Sequence, residues 1–203
     1  MTIKYIIGID EVGRGPLAGP LCVGACLVKR KDVSAFYRMV SGIKDSKKLT
    51  HQMRLKWLLI LTEAAKKGEC VLSTAFVGQE TIDRKGLSYC LKLGIRRTLQ
   101  KINAIPRSSK VLLDGGIKAP AVFTNQETII KGDEKEPLIA VASIVAKVRR
   151  DRYMIRLSKQ YPQYGFDEHK GYGTKAHYAA LNEYGLCTVH RRSFLNKLSN
   201  QSN

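Results

Sequence analysis

Residues 5–20 read Tyr5-Ile6-Ile7-Gly8-Ile9-Asp10-Glu11-Val12-Gly13-Arg14-Gly15-Pro16-Leu17-Ala18-Gly19-Pro20, an apolar run that ends on two consecutive carboxylates and enters a Gly/Pro-rich segment. The run from Tyr5 to Ile9, bounded by turn residues, predicts a buried strand. Desolvating an isolated carboxylate is costly, so a strand that carries Asp10 and Glu11 to its carboxyl edge does so for a cation or for proton chemistry. Strand side chains alternate between faces; the expectation is therefore that the turn begins directly after Glu11 and swings it back beside Asp10. In that turn Gly13 and Gly15 let backbone N–H and C=O groups approach a flat or narrow ligand, and Arg14 adds a forked cation suited to phosphate. Gly-x-Gly alone equally describes a tight turn with a solvated arginine.

Composition narrows the class of partner. The 203 residues include 35 Lys and Arg against 17 Asp and Glu, a formal charge of +18 that exceeds what solubility requires and points to a polyanion bound with strong salt dependence. At 44% hydrophobic residues and without a basic tail, the chain reads as a folded globule with one basic face. Its length suits one full core and a small appendage, with residues 1–160 expected as the core and 161–203 as the appendage. Cysteines 22, 26, 70, 90 and 187 match no zinc spacing and read as reduced, buried thiols of a cytoplasmic protein. No signal pattern and no apolar run of ~20 residues occurs, so no membrane association is expected.

Further along, Leu21–Lys29 is a second apolar run, the expected antiparallel neighbour of the first. Lys44-Asp45-Ser46-Lys47-Lys48-Leu49-Thr50 follows, with Thr50 suited to cap a helix reaching about Lys67; Ser46 and Lys47 suit either a phosphate contact or a solvated capping loop. Glu69–Phe76 predicts a third strand, and Thr81–Ile102 a helix that restarts near Gly86. Lys110–Asp114 then repeats the opening theme, delivering Asp114 to Gly115-Gly116, and Thr128–Asp133 does so a third time. If these strands are neighbours, Asp10, Glu11, Asp114 and Asp133 form a four-carboxylate cluster, and oxygen-only ligation selects Mg²⁺ or Mn²⁺ over zinc. Pro137 opens a helix to about Gln160 that is apolar all round at its start, until Lys147 interrupts it one turn after Ser143. A lysine there calls for an anion, either an acid of the cluster or a substrate phosphate. Arg149, Arg150, Arg152 and Arg156 form the densest basic patch. His169-Lys170-Gly171-Tyr172-Gly173-Thr174 interleaves cation, aromatic ring and flexible backbone, which suits stacking on a base or sugar; Thr174 caps a helix ended by Gly185. A final short helix is expected after His190-Arg191-Arg192-Ser193-Phe194.

Taken in order, Gly8-Ile9-Asp10-Glu11 with Gly13-Arg14-Gly15-Pro16, Asp45-Ser46-Lys47, Leu113-Asp114-Gly115, Gly132-Asp133, Ala142–Lys147 with Arg150-Asp151-Arg152, His169–Thr174 and His190–Phe194 resemble the ribonuclease HII family across nearly the whole chain. The resemblance implies an α/β ribonuclease H-like fold, a mixed central sheet flanked by helices with a small C-terminal helical extension. It also implies that Asp10, Glu11, Asp114 and Asp133 are metal-binding carboxylates, that Gly13, Arg14 and Gly15 feel the 2′-hydroxyl at an RNA–DNA junction, and that Tyr172 stacks near it. Lys47, Ser143 and Lys147 would hold phosphates. Val12 departs from the family's usual alanine. Type 3 relatives typically carry Lys within the Gly-x-Gly turn and an added N-terminal domain, so Arg14, Tyr172 and a chain starting on its first strand favour type 2.

The implied chemistry is phosphodiester hydrolysis with two Mg²⁺ or Mn²⁺ ions bridged by Asp10, one activating water and one stabilising the departing 3′ oxygen. Expected substrates are RNA/DNA hybrids and duplex DNA with embedded ribonucleotides, cut on the 5′ side to leave a 5′-phosphate and a 3′-hydroxyl. A monomer is expected, with a sliding clamp as a further candidate partner. The alternative from another class is a non-catalytic hybrid-binding or ribosomal protein. It has no use for four acids, which weaken polyanion binding unless cations neutralise them.

Overall fold

The computed structural model of the protein describes residues 2–43 and 49–195. Five strands, β1 (Tyr5–Val12), β2 (Leu21–Lys29), β3 (Val71–Val77), β4 (Ser109–Asp114) and β5 (Gln126–Ile129), form one sheet in the order β3-β2-β1-β4-β5. Among the described residues seven helices accompany it: α1 (Val33–Met39), α2 (His51–Lys66), α3 (Gln79–Lys101), α4 (Gly132–Lys135), α5 (Pro137–Gln160), α6 (Phe166–His169) and α7 (Lys175–Tyr184). β2 runs antiparallel to β1 from Tyr5↔Lys29 to Val12↔Cys22, as its apolar run predicts, while β4 is parallel to β1 and β5 parallel to β4. This is the mixed, helix-flanked sheet of a ribonuclease H-like α/β fold.

All but the last residue of β2 are buried, because both faces of the sheet are covered. On one face Ile7, Ile9, Val23 and Leu113 pack with Ile82, Leu91, Ile95 and Leu99 of α3. On the other, Cys26 and Val28 meet Leu58 and Leu61 of α2 and Leu138, Val141 and Val145 of α5. Helix α5 lies unusually close to the sheet. A Cβ on Gly8 would stand 2.2 Å from the Leu138 carbonyl carbon, and one on Gly24 would stand 2.3 Å from the Ala142 oxygen. Only glycine allows that approach, and it sets the next residue of α5, Ser143, against the end of β1.

Helix ends follow local chemistry. The Thr50 and Thr174 hydroxyls each accept from a backbone N–H three residues on, Met53 and His177, at 3.2 Å. Helix α3 is interrupted at Gly86 (φ 77°, ψ 163°), where the sequence predicts a restart. At the sheet's outer edge, Lys101 and Arg97 of α3 reach over β3 and donate to the carbonyls of Thr74 (2.7 Å) and Phe76 (3.1 Å). The segment after α5 folds back through α6 and α7, and its Tyr164, Phe166 and Leu181 share a third apolar cluster with Leu17, Ala18, Met154 and Leu157.

Several expectations need correction. β1 does not turn after Glu11 but continues through Val12. β5 begins at Gln126, and Asp133 sits on the one-turn helix α4 instead of at a strand end. Arg150 is no part of a surface patch: it is wholly buried. Arg192–Phe194 forms a single 3-10 turn, and the final short helix expected after it lies outside the described residues. All five cysteines are free thiols, as expected.

Candidate active site

Pairing between β1 and β4 stops at Ile9↔Leu113, so the two strands part with Asp10, Glu11 and Asp114 at their carboxyl ends. There they open a cavity of about 390 Å³, lined by these three acids, Val12–Gly15, Arg54, Ser143, Ile144, Lys147 and Tyr172. Neighbouring side chains of a strand face opposite ways, yet Asp10 and Glu11 both reach the cavity because it wraps around the end of β1 on the side that β4 leaves open.

The acids are held in an environment hostile to charge. Asp10 is 6% exposed, and burial, reinforced by the Glu11 charge, pushes its carboxyl up to about 8. Opposing that shift are the Ser143 hydroxyl and the Glu11 N–H, which donates to Asp10 Oδ1 at 2.7 Å. Burial also raises Glu11, against the pull of Arg14, whose Nη1 lies 3.2 Å from Glu11 Oε1. Among the described residues Glu11 Oε2 is buried without a hydrogen-bond partner. An orphaned carboxylate oxygen beside a second carboxyl forced upward is the electrostatic signature of a place that fits a cation. Asp114 Oδ1 accepts from the Gly132 N–H at 2.6 Å, the chain turning there through a left-handed Lys131 (φ 55°). That contact brings Asp133 next to the group: Asp133 is 1% exposed and lines a small recess with Ile43 and Ala140. Among the described residues, no three His, Cys, Asp or Glu side chains close on a single point as a ready metal cage.

The other expected residues divide. Lys147 lines the cavity, but its ammonium meets Asp151, one turn further along α5, at 2.9 Å; none of the expected acids holds it. Ser143 bonds Asp10. Tyr172 is 40% exposed at the cavity rim, with the Arg150 guanidinium 5.8 Å from its ring centre. Lys47 lies outside the described residues.

Sequence reasoning missed what holds the turn. Arg191 is wholly buried and donates to the carbonyls of Gly13 (2.7 Å), Arg14 (2.9 Å) and Gly19 (2.9 Å). Arg150 donates to Pro20, Lys170 and Ala18 at 3.0, 3.0 and 3.3 Å, and fills the space where a Cβ on Gly13 (φ 91°) would stand. Burial lowers both guanidinium groups, Arg191 to about 10. In a trans peptide C=O and N–H point opposite ways. Turning the Gly13 and Arg14 carbonyls onto Arg191 therefore leaves the N–H groups of Arg14 and Gly15 facing away from it, so the loop offers donors where the sequence suggested both donors and acceptors. Arg150 was findable: with Ser143 and Lys147 it lies on one helical stripe, i, i+4, i+7. Arg54, in α2, followed a loop read for phosphate binding and carried no signal of its own.

The family model described as Ribonuclease HII matches residues 7–197. The chain belongs to the ribonuclease HII family. The Ribonuclease HII of Caldicellulosiruptor bescii is 42% identical over 195 residues, covering 96% of this chain and 88% of that protein. Among solved structures, ribonuclease H2 from Pyrococcus horikoshii OT3 superposes with a TM-score of 0.73 at 25% identity, covering 98% of this chain and all of that one. A PCNA:RNase HII complex from Archaeoglobus fulgidus gives 0.72 at 27% identity, covering 92% and 93%. As a ribonuclease HII family member the protein is an endonuclease of the ribonuclease H type, a hydrolase of the class that acts on RNA/DNA hybrids. No helix among its described residues is long and apolar enough to cross a membrane.

Proposed function

We propose that the protein incises 5′ of ribonucleotides embedded in duplex DNA, as well as cutting the RNA strand of hybrids, leaving 5′-phosphate and 3′-hydroxyl ends. The observation that carries this reading is the cavity itself, where Asp10, Glu11 and Asp114 lie beside a glycine turn pinned by Arg191. Asp10, Glu11 and Asp114, with Asp133 closing from its adjacent recess, would hold Mg²⁺ or Mn²⁺. Such ions, when bound, supply an activated water and charge neutralisation at the scissile phosphate. The orphaned Glu11 oxygen and the upward push on Asp10 support that assignment.

The chain's own residues supply binding and selection. Arg14, Lys147 and Arg54 rim the cavity as cations for the phosphate backbone; Lys47, outside the described residues, keeps the phosphate contact that the family resemblance implies. Ser143 orients Asp10 through its hydroxyl. The Arg14 and Gly15 amides donate to the 2′-hydroxyl in the minor groove, which separates a ribonucleotide from its deoxy neighbour. Tyr172 stacks on the nucleotide beside the junction. In this reading residues 1–160 form the catalytic unit and 161–203 complete the substrate site of a cytoplasmic monomer. The clamp complex of the Archaeoglobus relative supports a sliding clamp as a partner.

The test is a labelled duplex carrying one ribonucleotide, incubated with and without Mg²⁺ and mapped for its cut. Incision at the 5′ side of the ribonucleotide only with Mg²⁺ is expected, and Asp10→Asn should bind that duplex without cutting it. Retention without any nicking by the wild-type protein would instead favour a pure hybrid binder.

A further inference from the structure

Three of the protein's four histidines touch one another behind Tyr172. His169 stacks on His177 with ring centres 4.4 Å apart, and His177 and His190 are wholly or almost wholly buried. Their hydrogen bonds form a directed chain. His177 Nδ1 lies 2.9 Å from the Tyr172 carbonyl, which can only accept, so the proton is on Nδ1 and His177 Nε2 is an acceptor. His190 Nε2, 3.1 Å away, must then be the donor. That leaves His190 Nδ1 to accept, and it does so from the Cys187 N–H at 3.0 Å, with the Cys187 sulfur at 3.1 Å. His169 is fixed in the same way: its Nδ1 accepts from the Gly171 N–H at 3.2 Å and its Nε2 donates to the Tyr164 carbonyl at 2.7 Å.

Every ring nitrogen is thus committed, and an added proton breaks a matched bond wherever it goes. On His177 Nε2 it would face the His190 N–H; shifting the His190 proton to Nδ1 would turn it against the Cys187 N–H, with the Cys187 sulfur, a weak acceptor, beside it; on His169 Nδ1 it would face the Gly171 N–H. The groups packed around the rings are otherwise engaged. Tyr164 presents its ring edge to His190, and its hydroxyl is spent on the Gly185 carbonyl. Phe166 packs edge-on to His177. Asp167 is engaged by the Ser158 hydroxyl at 2.5 Å, while Lys170 and Arg150 add only positive charge near the Tyr172 loop.

We propose that His177 is a positioning residue for Tyr172, held in its Nδ1–H tautomer by His190, and that a proton added to this chain forces the two rings apart, releasing His177 from its place together with the Tyr172 loop bonded to it and weakening recognition of the ribonucleotide junction. The proposal rests on the reading of Tyr172 as a substrate contact. Burial lowers both His177 and His190, the latter to about 4, so the release lies on the acid side of the ordinary histidine range.

Binding without cleavage tests it. Fluorescence anisotropy in EDTA gives the Kd of a duplex with one ribonucleotide and of its all-DNA counterpart between pH 8 and pH 4. The wild-type preference for the first should hold through pH 6 and fall at least about twofold by pH 4. His177→Asn keeps a donor where Nδ1 stood but has no second nitrogen and gains no charge; its preference should match wild type at pH 7.5 and stay level on acidification. A wild-type preference that ignores pH, or a His177→Asn preference that falls as wild type does, overturns the proposal. Tyr172→Ala separates the two readings: a variant that keeps the full preference removes Tyr172 from the substrate site, whatever the histidines do. Imidazole ¹⁵N spectra of the wild-type protein need no variant to fold. They should show His177 as the Nδ1–H and His190 as the Nε2–H tautomer at pH 7.5, and the opposite tautomer in either ring overturns the proposal.

Discussion

Arg191 Nη2 donates to the carbonyl of Gly13 at 2.7 Å, joining the last described turn of the chain to the first. Three main-chain carbonyls share the guanidinium, and the Asp83 charge nearby favours it. A buried cation is tolerable on those terms because its donors are satisfied and the carbonyl dipoles converge on it.

Replacing Arg191 by Met should therefore strip three buried acceptors at once, costing on the order of 3 kcal/mol in urea unfolding. Arg191→Lys, which keeps the charge but not the fork, should fold yet raise KM for a ribonucleotide-bearing duplex more than it lowers kcat. Unchanged KM in the lysine variant would detach the turn from substrate recognition.

Gly13 and Gly15 should respond differently to alanine. At Gly13 the added carbon meets Arg150 Nε at 2.3 Å on a backbone with φ 91°, so Gly13→Ala should lose stability. At Gly15 the added carbon finds no protein atom within 4 Å. Gly15→Ala should melt within about 2 °C of wild type while kcat/KM on the ribonucleotide duplex drops by roughly tenfold or more. Full activity in Gly15→Ala would mean that substrate does not approach this backbone.

Asp10 predicts a pH effect with a definite sign. Its carboxyl titrates at about 8 when folded, against 3.8 for the free side chain, so the folded state holds the proton more tightly. Stability without metal should accordingly fall as pH climbs from about 4 to about 8. Asp10→Asn, which has no charge to bury, should escape that fall and melt roughly 5 °C above wild type at pH 8.5 in EDTA. Mg²⁺ should close the gap from the wild-type side. Parallel melting of the two proteins across that range would contradict the assignment.

Asp83, near the start of α3, accepts from the Arg192 and Ser193 N–H groups at 2.9 and 3.0 Å and from the Ser193 hydroxyl at 2.5 Å. It anchors the turn that carries Arg191. Asp83→Ala should cost about 1–2 kcal/mol, and Asp83→Asn, which keeps an acceptor, clearly less. Equal losses in denaturant titration would place the role in charge alone.

Strands, main helices and their caps were legible because each rests on local chemistry: the antiparallel β1–β2 pair on two apolar runs, the starts of α2 and α7 on Thr50 and Thr174. Three carboxylates at one cavity were legible for the same reason, since a strand cannot bury acids idly. The recess that takes Asp133, and the reversal of Arg150 from surface to core, depend on contacts between segments far apart in sequence. Arg150 meets Ala18 across 132 positions, a distance no periodicity reports. Lys147 shows the limit from the other side: its need for an anion was readable, but the choice of Asp151, equally on its stripe, was not.

The cations that α3 lays over β3 have a bearing on how the molecule behaves in a crowd. With the outward carbonyls of Thr74 and Phe76 already engaged, a passing extended chain finds no free row of acceptors to zip against, and two like copies meet cation to cation. A protein this basic, concentrated along nucleic acid, is thereby kept from fusing into ribbons through the β3 edge of its sheet.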